Sequence, residues 1–181
     1  MEGEIKMKFN KLLLVVLVFA GATTFSQLKE HDNLLGPSLG FWPSSNVPTF
    51  GANFESQLTQ AGIGTISLGG VFRYTTWRYN YPANPYYDYN YYTLGLQSNY
   101  HFNEIGDGRF VPFVGLVLGY NSISVRNTYP PGTVAAYNSG FWIWGQFGMR
   151  YFFSPRVAGA LRFGLGNFNF NTIELGFDFK I

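Results

Sequence analysis

The sequence predicts an all-β protein, an eight-stranded antiparallel up-and-down transmembrane β-barrel. The last ten residues, 172–181, alternate without exception between polar or glycine positions and apolar positions. A period of two is typical of a β-strand with one apolar face. Aromatic residues make up 20% of the chain and charged residues only 12%, whereas soluble domains usually carry about 25% charged residues. Together with eight such segments of about ten residues each, these observations favour a barrel that faces lipid.

The eight segments follow one another after the N-terminal region, at positions 35–41, 49–58, 63–75, 91–103, 110–121, 140–152, 157–166 and 172–181. Proline, glycine and asparagine mark the connections, at 43–48, 60–62, 76–90, 103–109, 122–138, 154–156 and around 168. Seven segments have one apolar and one polar face. The fifth is apolar on both faces, so its orientation stays open.

The connections differ in length between the two ends of the predicted barrel. The long tracts 76–90 and 122–138 follow odd-numbered strands, and the links after strands two, four and six are short. This asymmetry is characteristic of outer-membrane barrels, with long extracellular loops and short periplasmic turns. The competing fold is a soluble eight-stranded barrel such as a lipocalin. It would need an outer surface of Gly, Thr, Ser and Gln with very few charges, which is a poor surface for water.

The N-terminus predicts export. Lysines at positions 6, 8 and 11 precede an apolar run at 12–20, which is too short to span a bilayer as a helix. We expect a cleaved signal peptide at 1–26, a short periplasmic segment at 27–34 and the barrel at 35–181. Cleavage after Ala22, a start at Met7 and a retained membrane anchor are the alternatives.

Six charged residues lie on the polar faces of the segments and would point into the lumen. Buried charges must pair there, because an unpaired ion costs several kcal/mol. We predict a cross-strand ion pair between Arg162 and Glu174, with Arg150 paired to Asp178 or Glu55 and Arg73 to an acidic partner. This set could be a gate for small ions, or an internal staple. Eight strands enclose a space that side chains just fill, which favours the staple.

No catalytic, cofactor-binding or metal-binding set is predicted. His101 lies on the polar face near the periplasmic end of strand four, where we expect it to be a hydrogen-bonding residue of the lumen. We expect His31 in a flexible tail, and neither histidine has a second metal ligand nearby in the sequence. Cysteine is absent, and the net charge of +2 gives no argument for nucleic acid.

The tract 76–90 is unusually rich in tyrosine. Tyrosine offers a rigid contact surface with a polar tip, so such a loop could bind an extracellular protein or a glycan. Alternatively, the later tyrosines belong to the aromatic belt at the membrane surface. The candidate contact residues are Tyr79, Tyr81, Tyr86, Tyr87 and Tyr89.

Three stretches carry a resemblance to a known group: 110–120 (FVPFVGLVLGY), 150–155 (RYFFSP) and 174–181 (ELGFDFKI). They resemble the small porin-like outer-membrane β-barrel proteins of the OmpA/OmpX type. That resemblance implies an integral outer-membrane protein, with outer-membrane lipid and the barrel-assembly machinery as partners. Such families usually end in an aromatic residue, whereas this chain ends in Ile181.

The leading functional hypothesis is a non-enzymatic, monomeric outer-membrane protein, structural or acting in surface interaction through its extracellular loops. A narrow passive pore is the second hypothesis. A membrane-embedded lipid-modifying enzyme is the third. It would need a cluster of His, Ser or Asp at the outer rim, and the predicted outer loops contain no histidine.

Overall fold

The computed structural model describes residues 28–42, 47–80, 86–105, 108–127, 139–166 and 172–181. This part of the chain forms a closed antiparallel barrel in which each strand pairs with its neighbours in sequence and the last strand pairs with the first. The strands are β1 Asn33–Trp42, β2 Val47–Ala61, β3 Gly64–Asn80, β4 Tyr86–His101, β5 Phe110–Asn127, β6 Gly140–Ser154, β7 Val157–Gly166 and β8 Thr172–Lys180. The predicted fold class is therefore confirmed. No helix in these ranges is long and apolar enough to cross a membrane. The predicted signal peptide lies outside the described residues.

The alternation in the sequence places apolar side chains outside and polar side chains in the lumen. Phe54 and Phe177 expose 42% and 54% of their surface on the outer face, whereas Arg162 and Glu174 in the lumen expose 2% and 4%. The outer face is a continuous belt of exposed Leu, Ile, Phe and Tyr residues from all eight strands. A barrel with a cavity lined by its apolar residues, as in a lipocalin, is excluded by this arrangement.

The orientation of β5, which the sequence left open, follows from its neighbours. Val111, Phe113 and Val117 point into the lumen and are buried, while Leu116 and Leu118 point outward and are exposed. The inward residues pack in apolar layers of the lumen, so this strand has no polar face to mark its direction.

Three strands extend five residues or more beyond their predicted segments. β3 and β4 pair from Thr76↔Asn90 to Asn80↔Tyr86, and β5 continues to Asn127. The predicted loops 76–90 and 122–138 were therefore wrong over these residues. The described outward positions, Thr76, Arg78, Asp88, Asn90, Ser122 and Ser124, are polar, so the apolar signal that marks a lipid-facing strand ends before the strand does.

The residues before β1 pack against one end of the barrel. This is the end at which β2 joins β3, β4 joins β5 and β6 joins β7, with two-residue turns at the first and the last. We call it the short-turn end; the opposite end, which holds the longest connection, is the long-loop end. Leu28 is 2% exposed and packs with Leu34, Val111, Phe152 and Ala158.

Backbone hydrogen bonds hold the same N-terminal residues to β2. The His31 amide donates to the Gln57 carbonyl at 2.9 Å, and the Gln57 amide donates to the Asp32 carbonyl at 2.8 Å. The expected flexible tail around His31 was therefore wrong. The first strand begins at Asn33, two residues before the predicted start of the barrel.

Candidate functional site: the charged lumen

Arg150, on β6, is the centre of the charged layer in the lumen and has no exposed surface. Its Nε donates to Asp178 Oδ2 at 2.6 Å, its Nη2 donates to Glu55 Oε1, and its Nη1 lies 3.0 Å from His101 Nδ1. The guanidinium also lies 4.7 Å from the centre of the Phe113 ring. Hydrogen bonds to two carboxylates and a cation–π contact compensate for the loss of water around this ion.

Arg162 binds Asp178 rather than Glu174. Its Nη2 lies 2.7 Å and 2.6 Å from the two Asp178 carboxylate oxygens. The predicted register is present, because Arg162 lies directly opposite Glu174 on the neighbouring strand, but the predicted ion pair between them was wrong. Ala160 and Gly176 lie between Arg162 and Asp178 on the lumen face, and these small residues leave room for the long side chain to reach along the barrel.

Glu174 instead receives a two-pronged contact from Arg73 across the lumen. Arg73 Nε lies 2.7 Å from Glu174 Oε1, and Nη2 lies 2.8 Å from Oε2. The same Nη2 donates to Asn53 Oδ1 at 2.7 Å, and Ser38 Oγ donates to Glu174 Oε2 at 3.3 Å. A bidentate pair is stronger and more directional than a single contact.

The six predicted lumen residues thus form two groups, and each group is neutral. Arg150 and Arg162 contact Glu55 and Asp178, and Arg73 contacts Glu174. Three arginines face three carboxylates, and each is at least 90% buried. Glycines on adjacent strands make space for them. A Cβ on Gly36 would lie 2.6 Å from Asp178 Oδ1, one on Gly40 would lie 2.7 Å from Glu174 Cγ, and one on Gly51 would lie 2.9 Å from Arg73 Cδ.

His101 joins this layer as a neutral hydrogen-bonding residue. Arg150 can only donate, so His101 Nδ1 accepts and the ring proton is on Nε2. That Nε2 lies 2.9 Å from Glu55 Oε2 and 3.0 Å from Ser67 Oγ. Spacing in the sequence did not reveal Ser67 and Glu55 as partners of His101. The register of β3 and β4 could have revealed Ser67, because it places Thr65 opposite His101 and Ser67 is the next residue on the same face of β3.

The Ser67, His101 and Glu55 set does not have the geometry of a nucleophilic triad. In such a triad the serine and the carboxylate bind different ring nitrogens. Here both bind Nε2, Arg150 occupies Nδ1, and all three side chains are buried. Within the described residues, no group of three His, Asp or Glu side chains could hold a metal ion.

Further layers fill the lumen above and below the charges. Gln146 Nε2 donates to Gln97 Oε1 at 2.9 Å and to Asn99 Oδ1 at 2.6 Å, next to an apolar layer that includes Val117 and Trp144. The Leu28 cluster fills the short-turn end. A cavity beside Arg73 and Glu174 has a volume of about 20 Å³, room for about one water molecule.

The tyrosines predicted to form a contact loop lie at the long-loop end. Tyr89 is on the lumen face of β4, is 7% exposed and stacks on Trp77 with ring centres 5.0 Å apart. The prediction that Tyr89 is a surface-contact residue was therefore wrong, since its ring packs inward. Strands β3 and β4 contain Tyr79, Tyr86 and Tyr87, of which the structure describes only the backbone. Tyr81 lies outside the described residues.

Comparison with known proteins shows the fold. No protein-family model and no curated protein matches the sequence. A de novo designed transmembrane β-barrel superposes with a TM-score of 0.57 at 12% identity, covering 86% of this chain and 99% of the design. Ail, the attachment invasion locus protein of Yersinia pestis, gives 0.53 at 12% identity, covering 84% of this chain and all of that one, 100%. The N-terminal β-barrel domain of Pseudomonas aeruginosa OprF gives 0.52 at 15% identity, covering 84% and 98%. In fold, the chain is similar to the small eight-stranded outer-membrane barrels.

Proposed function

We propose that this chain is a non-enzymatic integral protein of the outer membrane with a closed lumen, whose role lies at its long-loop end. The observation that carries the proposal is the contrast between the lumen face and the outer face of the barrel wall. The lumen charges neutralise one another inside the barrel, whereas the outer face is an unbroken apolar belt. Only hydrocarbon suits such a belt, and closure of the sheet satisfies its backbone without an edge.

The location in the outer membrane rests on three supports. The predicted signal peptide indicates export, β3, β4 and β5 extend beyond the apolar belt at the long-loop end as the extracellular hairpins of outer-membrane barrels do, and the solved barrels of similar fold include Ail and the OprF domain. Cell fractionation followed by electrophoresis of boiled and unboiled samples tests this. We expect the protein in the outer-membrane fraction, with a mobility that changes on boiling. A soluble protein whose mobility does not change would contradict the proposal.

A passive pore is the alternative that the lumen argues against. Ions would have to pass the Leu28 cluster, the arginine–carboxylate layer and the Gln146 layer, all of which are packed. Reconstitution into planar bilayers should therefore give no steady single-channel current above that of protein-free bilayers. Steady currents in proportion to inserted protein would favour the pore.

The non-enzymatic assignment rests on the lumen chemistry. The one serine–histidine–carboxylate contact among the described residues is buried and wrongly arranged for nucleophilic attack. Membrane lipids should therefore have the same composition with and without the gene. Loss of a modified lipid on deletion, restored by the gene in trans, would make the chain an enzyme.

The long-loop end is the part of the barrel that we expect to act in surface interaction. Ail, a barrel of similar fold, is named for attachment and invasion, which makes attachment the first property to test. Residues 81–85 and 128–138 can each be exchanged for Gly-Ser linkers of equal length, with the exchange of 167–171 as a control matched in length to 81–85. We expect binding of cells or matrix glycans to fall for one of the first two variants only. Equal binding by all variants would remove the loop hypothesis.

A further inference from the structure

A groove with a volume of about 670 Å³ lies on the outside of the barrel, across β6, β7, β8 and β1. Its floor lies at Gly159. Tyr151 and Phe153 line one side, and Leu175 and Phe177 line the other. All these residues point outward within the apolar belt, so the groove opens toward lipid and not toward the lumen.

Two local features of the sequence create the groove. The pairing of β6 with β7 shifts between Phe152 and Ser154, so Phe153 is the extra residue of a β-bulge. The edge of its ring lies beside Gly159, where a Cβ would be 3.0 Å from the nearest ring atom. Gly159 thus leaves a gap among the side chains of the apolar belt, and the Phe153 ring at the bulge lines one side of that gap.

An arginine lies beyond the groove, in a turn at the short-turn end of the barrel. Arg156 is in the turn between β6 and β7, three residues before Gly159, which is about 10 Å along an extended strand. Its carbonyl accepts the Lys180 amide at 2.8 Å, which holds the turn beside the end of β8. The Arg156 side chain is exposed and forms no ion pair with the described residues. At the membrane surface such a guanidinium fits a phosphate group.

From these features we propose that the groove binds one glycerophospholipid, with an acyl chain over Gly159 and the phosphate at Arg156. This inference rests on the proposed membrane location. The charged end lies at the short-turn end, so the lipid belongs to the leaflet on that side.

The test uses the folded full barrel in detergent micelles with added phosphatidylglycerol, read by native mass spectrometry. We expect one retained lipid on the wild type and at least tenfold less on Gly159→Leu, which fills the groove. Gly70→Leu is the matched control, because Gly70 also faces outward, on β3, with open space around it. It should retain the wild-type amount. A change of mobility on boiling verifies that each variant is folded.

The phosphate contact has its own variant and its own ligand control. Arg156→Gln should weaken phosphatidylglycerol binding about fivefold, the equivalent of one basic group at a membrane surface. Diacylglycerol with the same chains lacks the phosphate, so its binding should not change in Arg156→Gln.

Three results would overturn the inference. The first is a wild-type barrel without retained lipid, and the second is equal retention of lipid by Gly159→Leu. The third is a lipid-free dimer that dissociates in Gly159→Leu, which would make a second copy of the chain the occupant of the groove. The proposed function is tested separately by insertion into vesicles. A barrel that inserts but retains no lipid contradicts this inference alone, and a barrel that fails to insert contradicts both.

Discussion

Removal of the central arginine is the sharpest test of the lumen network. In Arg150→Met, Glu55 keeps its contacts with His101 and Ser67, and Asp178 keeps Arg162, but each loses a charged donor. The lumen then carries one uncompensated negative charge. Removing one member of a buried ion pair usually costs about 3–5 kcal/mol. We expect the free energy of unfolding in lipid vesicles to fall by about that amount, measured by urea titration.

Two further variants separate charge from lost packing. Arg78→Met removes an arginine from the pair with Asp88 at the long-loop end, where the Arg78 side chain is 57% exposed. Exposed pairs contribute about 0–1 kcal/mol, so this variant should change little. The double variant Arg150→Met with Glu55→Gln restores neutrality and should recover part of the loss.

The reasoning would be refuted if Arg150→Met cost no more than Arg78→Met. It would also be refuted if the double variant were less stable than the sum of its two single changes, because the loss would then come from packing and not from an unpaired charge. In the first case, the three arginines and three carboxylates would be too hydrated to act as an internal staple.

Three other changes test the plug, the glycine sites and the membrane face, with the same unfolding assay. Leu28→Ala should cost about 2–5 kcal/mol, because it opens a cavity in the apolar cluster at the short-turn end; an unchanged midpoint would show that the N-terminal residues do not seal the barrel. Gly36→Ala should reduce the folded fraction, since its Cβ would clash with the Phe177 carbonyl oxygen, whereas Gly70→Ala has space and should fold normally. Leu96→Arg, in the middle of the outer belt, should lower the free energy of unfolding in vesicles by about 2–4 kcal/mol. Ser124→Arg, on the polar extension of β5, should lower it by about 0–1 kcal/mol. Equal costs would argue against lipid around Leu96.

The fold could be predicted from the sequence because lipid and lumen demand opposite side chains at alternate positions. The seventh segment was predicted at 157–166, the bounds that β7 has in the structure. The prediction failed where that contrast fades. β5 packs valines inward, and the extensions of β3 and β4 carry polar residues outward, so neither displays the pattern that marks a membrane strand.

The membership of the charged layer was also readable, and the pairing of Arg150 with Asp178 and Glu55 is confirmed, but the partner of Arg162 was wrong and that of Arg73 was left unnamed. All six residues could be assigned to the lumen from the period of two, because parity alone decides which face a side chain takes. The partners of Arg73 and Arg150 lie on strands that do not pair with their own. Arg73 and Glu174 are 101 positions apart and lie on strands that do not pair with each other, so no register between neighbouring strands reveals their contact.

Small residues, more than opposite charges, decide those pairings. Any of the three arginines is attractive to any of the three carboxylates, so charge alone leaves several neutral arrangements. Gly51 leaves space beside Arg73, and Ala160 and Gly176 open the route from Arg162 to Asp178. A side chain at one of these positions would leave the charges unchanged and still close the route. The glycines and alanines of the lumen therefore carry the information that selects one ion-pair pattern, which is why the pattern cannot be read from the charged residues alone.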